Sequence, residues 1–200
     1  MESLIEKITQ ELTGRLFVEL EASGRHVHLT KEAALTLFGH PLTEKRPLSQ
    51  PGQFLCNERV NLITSKGRME NVAVLGPERK DYQVELSMTD CVALGLRAPV
   101  RLSGKTESTP GITLTCGEKQ LVLDHGVLVA LRHIHMSEAD ADTRGLKNGD
   151  KVRLKTLTQR PVTFEDVPVR VSPNFCTFAH LDYDEANACG FQKGDLGMIL

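Results

Sequence analysis

Tryptophan is missing from this chain, and Phe, Tyr and Trp together make up only 4% of its 200 residues. Such scarcity excludes the ring platforms that grip single-stranded nucleic acid and the aromatic shelves that hold sugars. An excess of one charge is also missing. Lys and Arg number 24 against 26 Asp and Glu, a net charge of −2, so no broad basic field faces a nucleic-acid backbone, and any bound anion must be held locally. Apolar runs such as Val127–Leu131 are strand-sized and far too short to cross a bilayer. The five cysteines are odd in number, scattered and without a Cys-x-x-Cys pair, which argues against a disulfide framework and for a reducing, cytoplasmic setting. Glu2, Glu6 and Glu11 interrupt the first residues, which therefore lack the apolar core of a secretory signal. The phosphate-binding Gly-x-x-x-x-Gly-Lys-Ser/Thr loop, the dinucleotide Gly-x-Gly-x-x-Gly turn and the Gly-x-Ser-x-Gly elbow are all absent. Those absences argue against a nucleotide triphosphatase, a dehydrogenase and a serine hydrolase.

What the chain does carry is a repeat. Ser23-Gly24-Arg25-His26-Val27-His28-Leu29 returns about a hundred residues later as Leu131-Arg132-His133-Ile134-His135-Met136-Ser137. In an extended strand, residues two apart face the same way, so each copy sets two imidazoles side by side with its apolar residues turned to the other face. That is half a metal site, present twice, and four of the seven histidines lie in it.

The surrounding pattern fits a duplicated, mainly β fold: two closed β-barrel domains with a few short helices and an N-terminal amphipathic helix. Leu4, Ile5, Ile8 and Leu12 fall on one helical face of residues 2–13, a surface for packing or for docking a partner. Beyond Gly14, short runs of Val, Leu, Ile and Thr alternate with Gly, Pro and Asp, as expected of a barrel or sandwich. Helices are expected at Lys31–Phe38, Met88–Leu94 and Ser137–Thr143; Thr30 and Ser137 are placed to cap the first and last, each directly after a histidine strand. A Gly-apolar-x-x turn at Gly95, Gly145 and Gly190 reads as a tight barrel corner. The expected divisions are residues 1–14 for the helix, 15–108 for the first barrel and 109–200 for the second, with Ser108-Thr109-Pro110-Gly111 at the boundary.

Catalytic zinc usually takes three protein ligands and keeps a fourth position open. For the second pair, His180 completes a candidate set of His133, His135 and His180. For the first pair the choice is between His40, in a loop beside Pro41, and Glu85, an acid inside the alternating segment Gln83–Ser87; Glu85 is preferred because a carboxylate there calls for a buried partner. Arg79 and the strand residue Arg170 are each able to clamp a phosphate through paired donors, or to form an ordinary surface ion pair. Gln50 and Gln53 put side-chain donors and acceptors into one loop.

Taken with Leu48-Ser49-Gln50-Pro51-Gly52-Gln53-Phe54, Val74-Leu75-Gly76-Pro77, Arg79, Gln83-Val84-Glu85-Leu86-Ser87 and Asp184-Glu185-Ala186-Asn187-Ala188, the chain from about Glu19 onward resembles the PduL-type phosphotransacylases, or phosphate propanoyltransferases, of bacterial microcompartments. The resemblance implies two closed β-barrels with an active site at their interface. It implies two Zn2+ per chain, one on His26, His28 and Glu85 and one on His133, His135 and His180. It makes Arg79 the catalytic, phosphate-binding residue, with Gln50, Gln53, Gln83, Ser103 and Arg170 as further pocket residues. The implied reaction turns short-chain acyl-CoA, propanoyl or acetyl, and phosphate into acyl phosphate and CoA, reversibly. Its partners would be a coenzyme A thioester and inorganic phosphate, with no nucleic acid and no membrane, and with microcompartment shell or cargo proteins and a homo-oligomer as open options. The setting would be cytoplasmic, inside a microcompartment. Two rivals use the same ligands: a dinuclear zinc thioester hydrolase, and a non-enzymatic microcompartment component stapled by metal. Tyr82 departs from the family pattern, which has a small polar residue beside Gln83, and is expected to reshape the pocket wall.

Overall fold

A computed structural model describes residues 16–200 together with Ser3 and Gly14. The helix expected over residues 2–13 lies outside the described residues. The fold is mainly β, and the chain divides into two compact units. One holds residues 23–131 with 182–184; the other holds 16–22, 132–181 and 185–200.

In the first unit a nine-stranded sheet runs β7(Val100–Arg101), β10(Val127–Ala130), β6(Gln83–Leu86), β2(His26–His28), β5(Arg68–Gly76), β4(Phe54–Ile63), β8(Ile112–Cys116) and β9(Lys119–Leu123), with β3(Glu44–Pro47) paired to β4. Alternation decides its inner face. Val60, Leu62, Val72, Val74, Ile112 and Leu114 are buried together with Val27 and Val84, while their neighbours on β4, β5 and β8 are partly or fully exposed. Helix α1(Lys31–Phe38) is capped by the Thr30 hydroxyl, which accepts from the Ala33 amide at 3.1 Å, and it stops at Gly39 with φ 82°. It packs on β8 and β9. This sheet does not close on itself: its path ends at β7 and β9, so only one of the two expected barrels is closed. The covering of β9 by α1 gives a physical reason, since an edge protected by a helix need not pair with another strand.

The second unit is a closed six-stranded barrel in the order β1(Phe17–Ser23), β14(Phe178–Asp182), β11(His133–Met136), β13(Thr163–Val171), β12(Lys151–Thr156) and β15(Leu196–Ile199), which returns to β1. Val18, Leu20, Ile134, Met136, Leu154, Val167, Val169, Ala179 and Leu181 fill its interior. Helix α3(Glu138–Arg144) starts at Ser137, whose hydroxyl accepts from the Asp140 amide at 3.1 Å. Two further helices, α2(Met88–Leu94) and α4(Tyr183–Cys189), follow β6 and β14.

Compared with the domain division drawn from sequence, the compact units cut the chain elsewhere. β8 pairs with β4, which keeps residues 112–123 with the first unit, and β1 pairs with β15, which draws it to the C-terminal strands. Pairing across long sequence separations leaves no local mark.

Candidate active site

The two histidine strands occupy the same topological position in their own units. β2 lies parallel to β5 and antiparallel to β6, with His26 directly opposite Glu85. β11 lies parallel to β13 and antiparallel to β14, with His133 directly opposite His180. Glu85 and His180 are therefore equivalent positions of the repeat, an equivalence hidden by their different residue types. Each triplet puts three ligand atoms within 4.8 Å of one another.

At the first cluster His26, His28 and Glu85 are 6%, 2% and 7% exposed, so all three polar side chains are buried together. His26 Nδ1 lies 2.8 Å from the Gly24 carbonyl and His28 Nδ1 lies 3.2 Å from the Leu75 carbonyl. A carbonyl only accepts, so each Nδ1 carries a proton, and Nε2, on the Glu85 side, is the nitrogen that would be free for a metal in the neutral ring. The Nε2 to Glu85 Oε1 distances are 3.5 and 3.9 Å. Two ligands on a tetrahedral zinc at roughly 2.0–2.2 Å stand about 3.4 Å apart, so this donor set fits such an ion with small adjustment. Burial pushes the His28 pKa down, and the nearby His26 and Arg79 charges push the same way, leaving it well below the usual imidazole value. Burial also works to lower His26, but Glu85 outweighs it and the pKa is raised. Glu85 itself, which burial would raise, is held far below the carboxylate range by His26, His28 and Ser103.

A polar chain leads from this cluster to Arg79. The Gln83 amide donates to Glu85 Oε1 and, at 2.9 Å, to the Ser103 hydroxyl; Arg79 Nη1 donates to the same hydroxyl at 3.1 Å. The Gly104 amide donates to Gln83 Oε1 at 2.7 Å and fixes which way the side chain faces. The Arg79 backbone is anchored separately, its amide donating to the Leu29 carbonyl at 2.8 Å. Arg79, Gln83 and Ser103 thus gather around Glu85. Gln50 and Gln53 close the loop before β4 through Gln53 N to Gln50 O and Leu48 N to Gln53 O, and this loop delivers Phe54, which pairs with Gly76 just ahead of Arg79.

At the second cluster His135 Nδ1 and His180 Nε2 face each other at 3.1 Å, and the His133 ring lies 4.5 and 5.0 Å from the other two ring centres. His180 Nδ1 meets Glu21 Oε2 at 3.2 Å. A carboxylate behind an imidazole fixes its tautomer and leaves Nε2 as the ligand nitrogen. Arg170 stands beside His135 in the register of β13, and both side chains pack against Phe175, at 5.8 and 4.2 Å from its ring centre.

Glu21 was not foreseen. Its alternation with the buried Val18 and Leu20 is a readable signal, but its meeting with His180 depends on β1 joining the barrel. His40 is exposed and belongs to neither cluster. Tyr82 lies just ahead of β6, its hydroxyl donating to Asp124 and its ring packing on His125 at 4.7 Å.

A family model described as phosphate propanoyltransferase matches residues 19–192, a span that holds both clusters and Arg79. The chain belongs to the phosphate propanoyltransferase family. Among curated relatives, the phosphate propanoyltransferase of Enterococcus faecalis is 50% identical over 202 residues, covering 100% of this chain and 95% of the relative. That of Listeria monocytogenes is 50% identical over 99% of this chain and 94% of its own length, and that of Clostridioides difficile is 47% identical over 100% and 99%. As a phosphate propanoyltransferase family member, the chain is an acyltransferase enzyme.

Proposed function

We propose that the chain converts short-chain acyl-CoA, propanoyl or acetyl, and inorganic phosphate into acyl phosphate and free CoA, reversibly, using two zinc ions. His26, His28 and Glu85 would hold one ion and His133, His135 and His180 the other. The observation that carries this reading is the repeat itself. Equivalent strand positions in the two units present two imidazoles with a carboxylate in one case and three imidazoles in the other, in a family named for phosphate acyl transfer. Bound there, zinc supplies Lewis-acid stabilisation for the oxyanion that develops as the thioester carbonyl is attacked.

Arg79 is the residue proposed to hold phosphate. Its planar fork matches two phosphate oxygens, and its Ser103 contact orients it beside Glu85. A phosphate dianion needs no general base. One of its oxygens bonds to the carbonyl carbon, the C–S bond breaks, and CoA leaves as the thiolate. An acyl-cysteine route finds little support in the buried thiols: burial and nearby Glu58 push Cys56 up to about 12, and burial also raises Cys91 and Cys189. Gln50, Gln53, Gln83, Ser103 and Arg170 complete the proposed substrate-binding set. The amphipathic pattern of residues 2–13 supports a docking role in a microcompartment.

The test is release of free thiol from acetyl-CoA and propanoyl-CoA with and without phosphate, combined with single-turnover labelling. Phosphate-dependent release with no trapped acyl-enzyme is expected. Release that ignores phosphate would instead identify a hydrolase, and a labelled acyl-enzyme would exclude direct attack.

A further inference from the structure

The repeat carries one more pair of residues than metal ligation requires. Arg25 immediately precedes the first ligand, His26, and forks onto Asp90, with Nε to Oδ2 at 3.2 Å and Nη2 to Oδ1 at 2.8 Å. Arg132 immediately precedes His133 and meets Glu185, with Nη1 to Oε1 at 2.6 Å. Asp90 stands five residues after Glu85, and Glu185 stands five residues after His180; each acid is the third residue of its helix, α2 or α4. The third ligand and the shape of the sheet differ between the two units, yet this ion pair recurs at the same offsets from the ligands.

From this recurrence we infer that Arg25 with Asp90, and Arg132 with Glu185, are positioning clamps that set the metal affinity of the cluster beside them. The inference rests on the reading of the two triplets as metal sites. Two ligands of each site sit on one short strand and the third on its antiparallel neighbour. The ion pair ties the residue before the first strand's ligands to the helix after the second strand, so the three ligands lie inside a closed frame. In the first unit the frame also controls an orienting group, because the Gly24 carbonyl that engages His26 Nδ1 belongs to the peptide joining Gly24 to Arg25. Asp90 is 4% exposed and is itself fixed by a reciprocal cap with Ser87, its Oδ2 accepting from the Ser87 amide at 3.3 Å. Arg132 has two further supports: Nη2 donates to the Glu165 carbonyl at 3.0 Å, and the guanidinium lies over the Phe164 ring at 5.3 Å. Arg25 is 43% exposed on its outer side but forks onto a buried carboxylate, and Arg132 and Glu185 are both largely covered, so each pair is anchored on its inner side by directional charge-assisted bonds.

The experiment uses the full chain, stripped of metal and titrated with zinc against a chromophoric chelator, with cobalt(II) absorption as a second readout of ligand geometry. His133→Ala/His135→Ala isolates the first cluster, and His26→Ala/His28→Ala isolates the second. Arg25→Gln is expected to weaken the first cluster by about 10- to 100-fold, the loss typical when a group supporting a ligand is removed, and to leave the second within about twofold. Arg132→Gln is expected to do the reverse. Arg25→Lys keeps the charge without the fork and should fall between; it also carries the test should Arg25→Gln melt below the assay temperature. Unchanged affinity and cobalt spectrum in a folded variant, or equal weakening of both clusters, would overturn the clamps. Failure of the unsubstituted chain to take up zinc or cobalt would overturn the metal reading first, and the clamps with it.

Discussion

At the scale of single residues, Arg79 and Glu21 do opposite kinds of work. In the proposed site Arg79 would offer charge to phosphate, whereas Glu21, at 3.2 Å from His180 Nδ1, would orient a metal-binding imidazole. Arg79→Ala is expected to lower phosphate-dependent thiol release by at least about 100-fold, the size of effect seen when a preorganised charge partner is lost. Arg79→Lys should recover only part of it, because an ammonium lacks the fork; full activity in either variant would remove Arg79 from the phosphate site. Glu21→Ala should weaken zinc binding at the second cluster by about 10- to 100-fold with the melting temperature nearly unchanged, checked by chelator competition. These residues also mark how far a sequence can be read. The two His-x-His strands, Glu85 and His180 follow from period-2 alternation and donor chemistry, whereas Glu21 needed a strand register that no local pattern records.

At the scale of elements, the recurring Gly-apolar phrase ends a helix rather than turning a barrel corner. Gly95, Gly145 and Gly190 sit at φ 64°, 65° and 65°, just past α2, α3 and α4. The next amide bonds back into the helix each time, from Leu96 to Cys91, Leu146 to Ala141 and Phe191 to Ala186. A Cβ on Gly145 would meet nothing within 4 Å, so Gly145→Ala isolates the backbone cost of about 1–2 kcal/mol, visible in thermal melts, and Gly145→Asn should cost less. A second element-level device joins the start of β6 to the β9–β10 turn: His125 lies between Asp124 Oδ1 at 2.6 Å and Asp81 Oδ2 at 3.1 Å. Hydrogen bonds to Asp124 and then Asp81 raise the His125 pKa. The Tyr82 hydroxyl and then His125 lower Asp124, while for Asp81 the Thr106 and His125 bonds outweigh burial and lower it too. A raised histidine stabilises fully below its unfolded value near about 6.5 and stops doing so as pH climbs through the folded value; a lowered carboxylate stabilises above about 3.9 and stops as pH falls through its folded value. The melting difference between the natural chain and His125→Gln should therefore be largest between about pH 4 and 6.5, shrinking on either side and with added salt. A difference that grows toward pH 8 would refute this assignment.

For the whole molecule, the clusters lie on strands whose cores are apolar without them. Leu29, Val74, Val84 and Leu86 pack the first unit, and Ile134, Val169, Ala179 and Leu181 the second. Chelation is accordingly expected to abolish turnover while leaving far-UV circular dichroism largely intact; loss of both together would point to metal as a structural staple. The mainly β class and the duplication were legible because the motif repeats and the strands alternate. Closure was not, since the decision between a ring and an open sheet rests on what covers β9. Nor was the division into units, which is set by Phe17 pairing with Met198 across almost the entire chain. That last contact has a consequence for synthesis. Strands β2 to β10 have all their sheet partners before residue 131, so their sheet can assemble while the ribosome is still working, but the ring containing His133, His135 and His180 must wait for β15 to emerge, holding β1 unpaired with β15 until then.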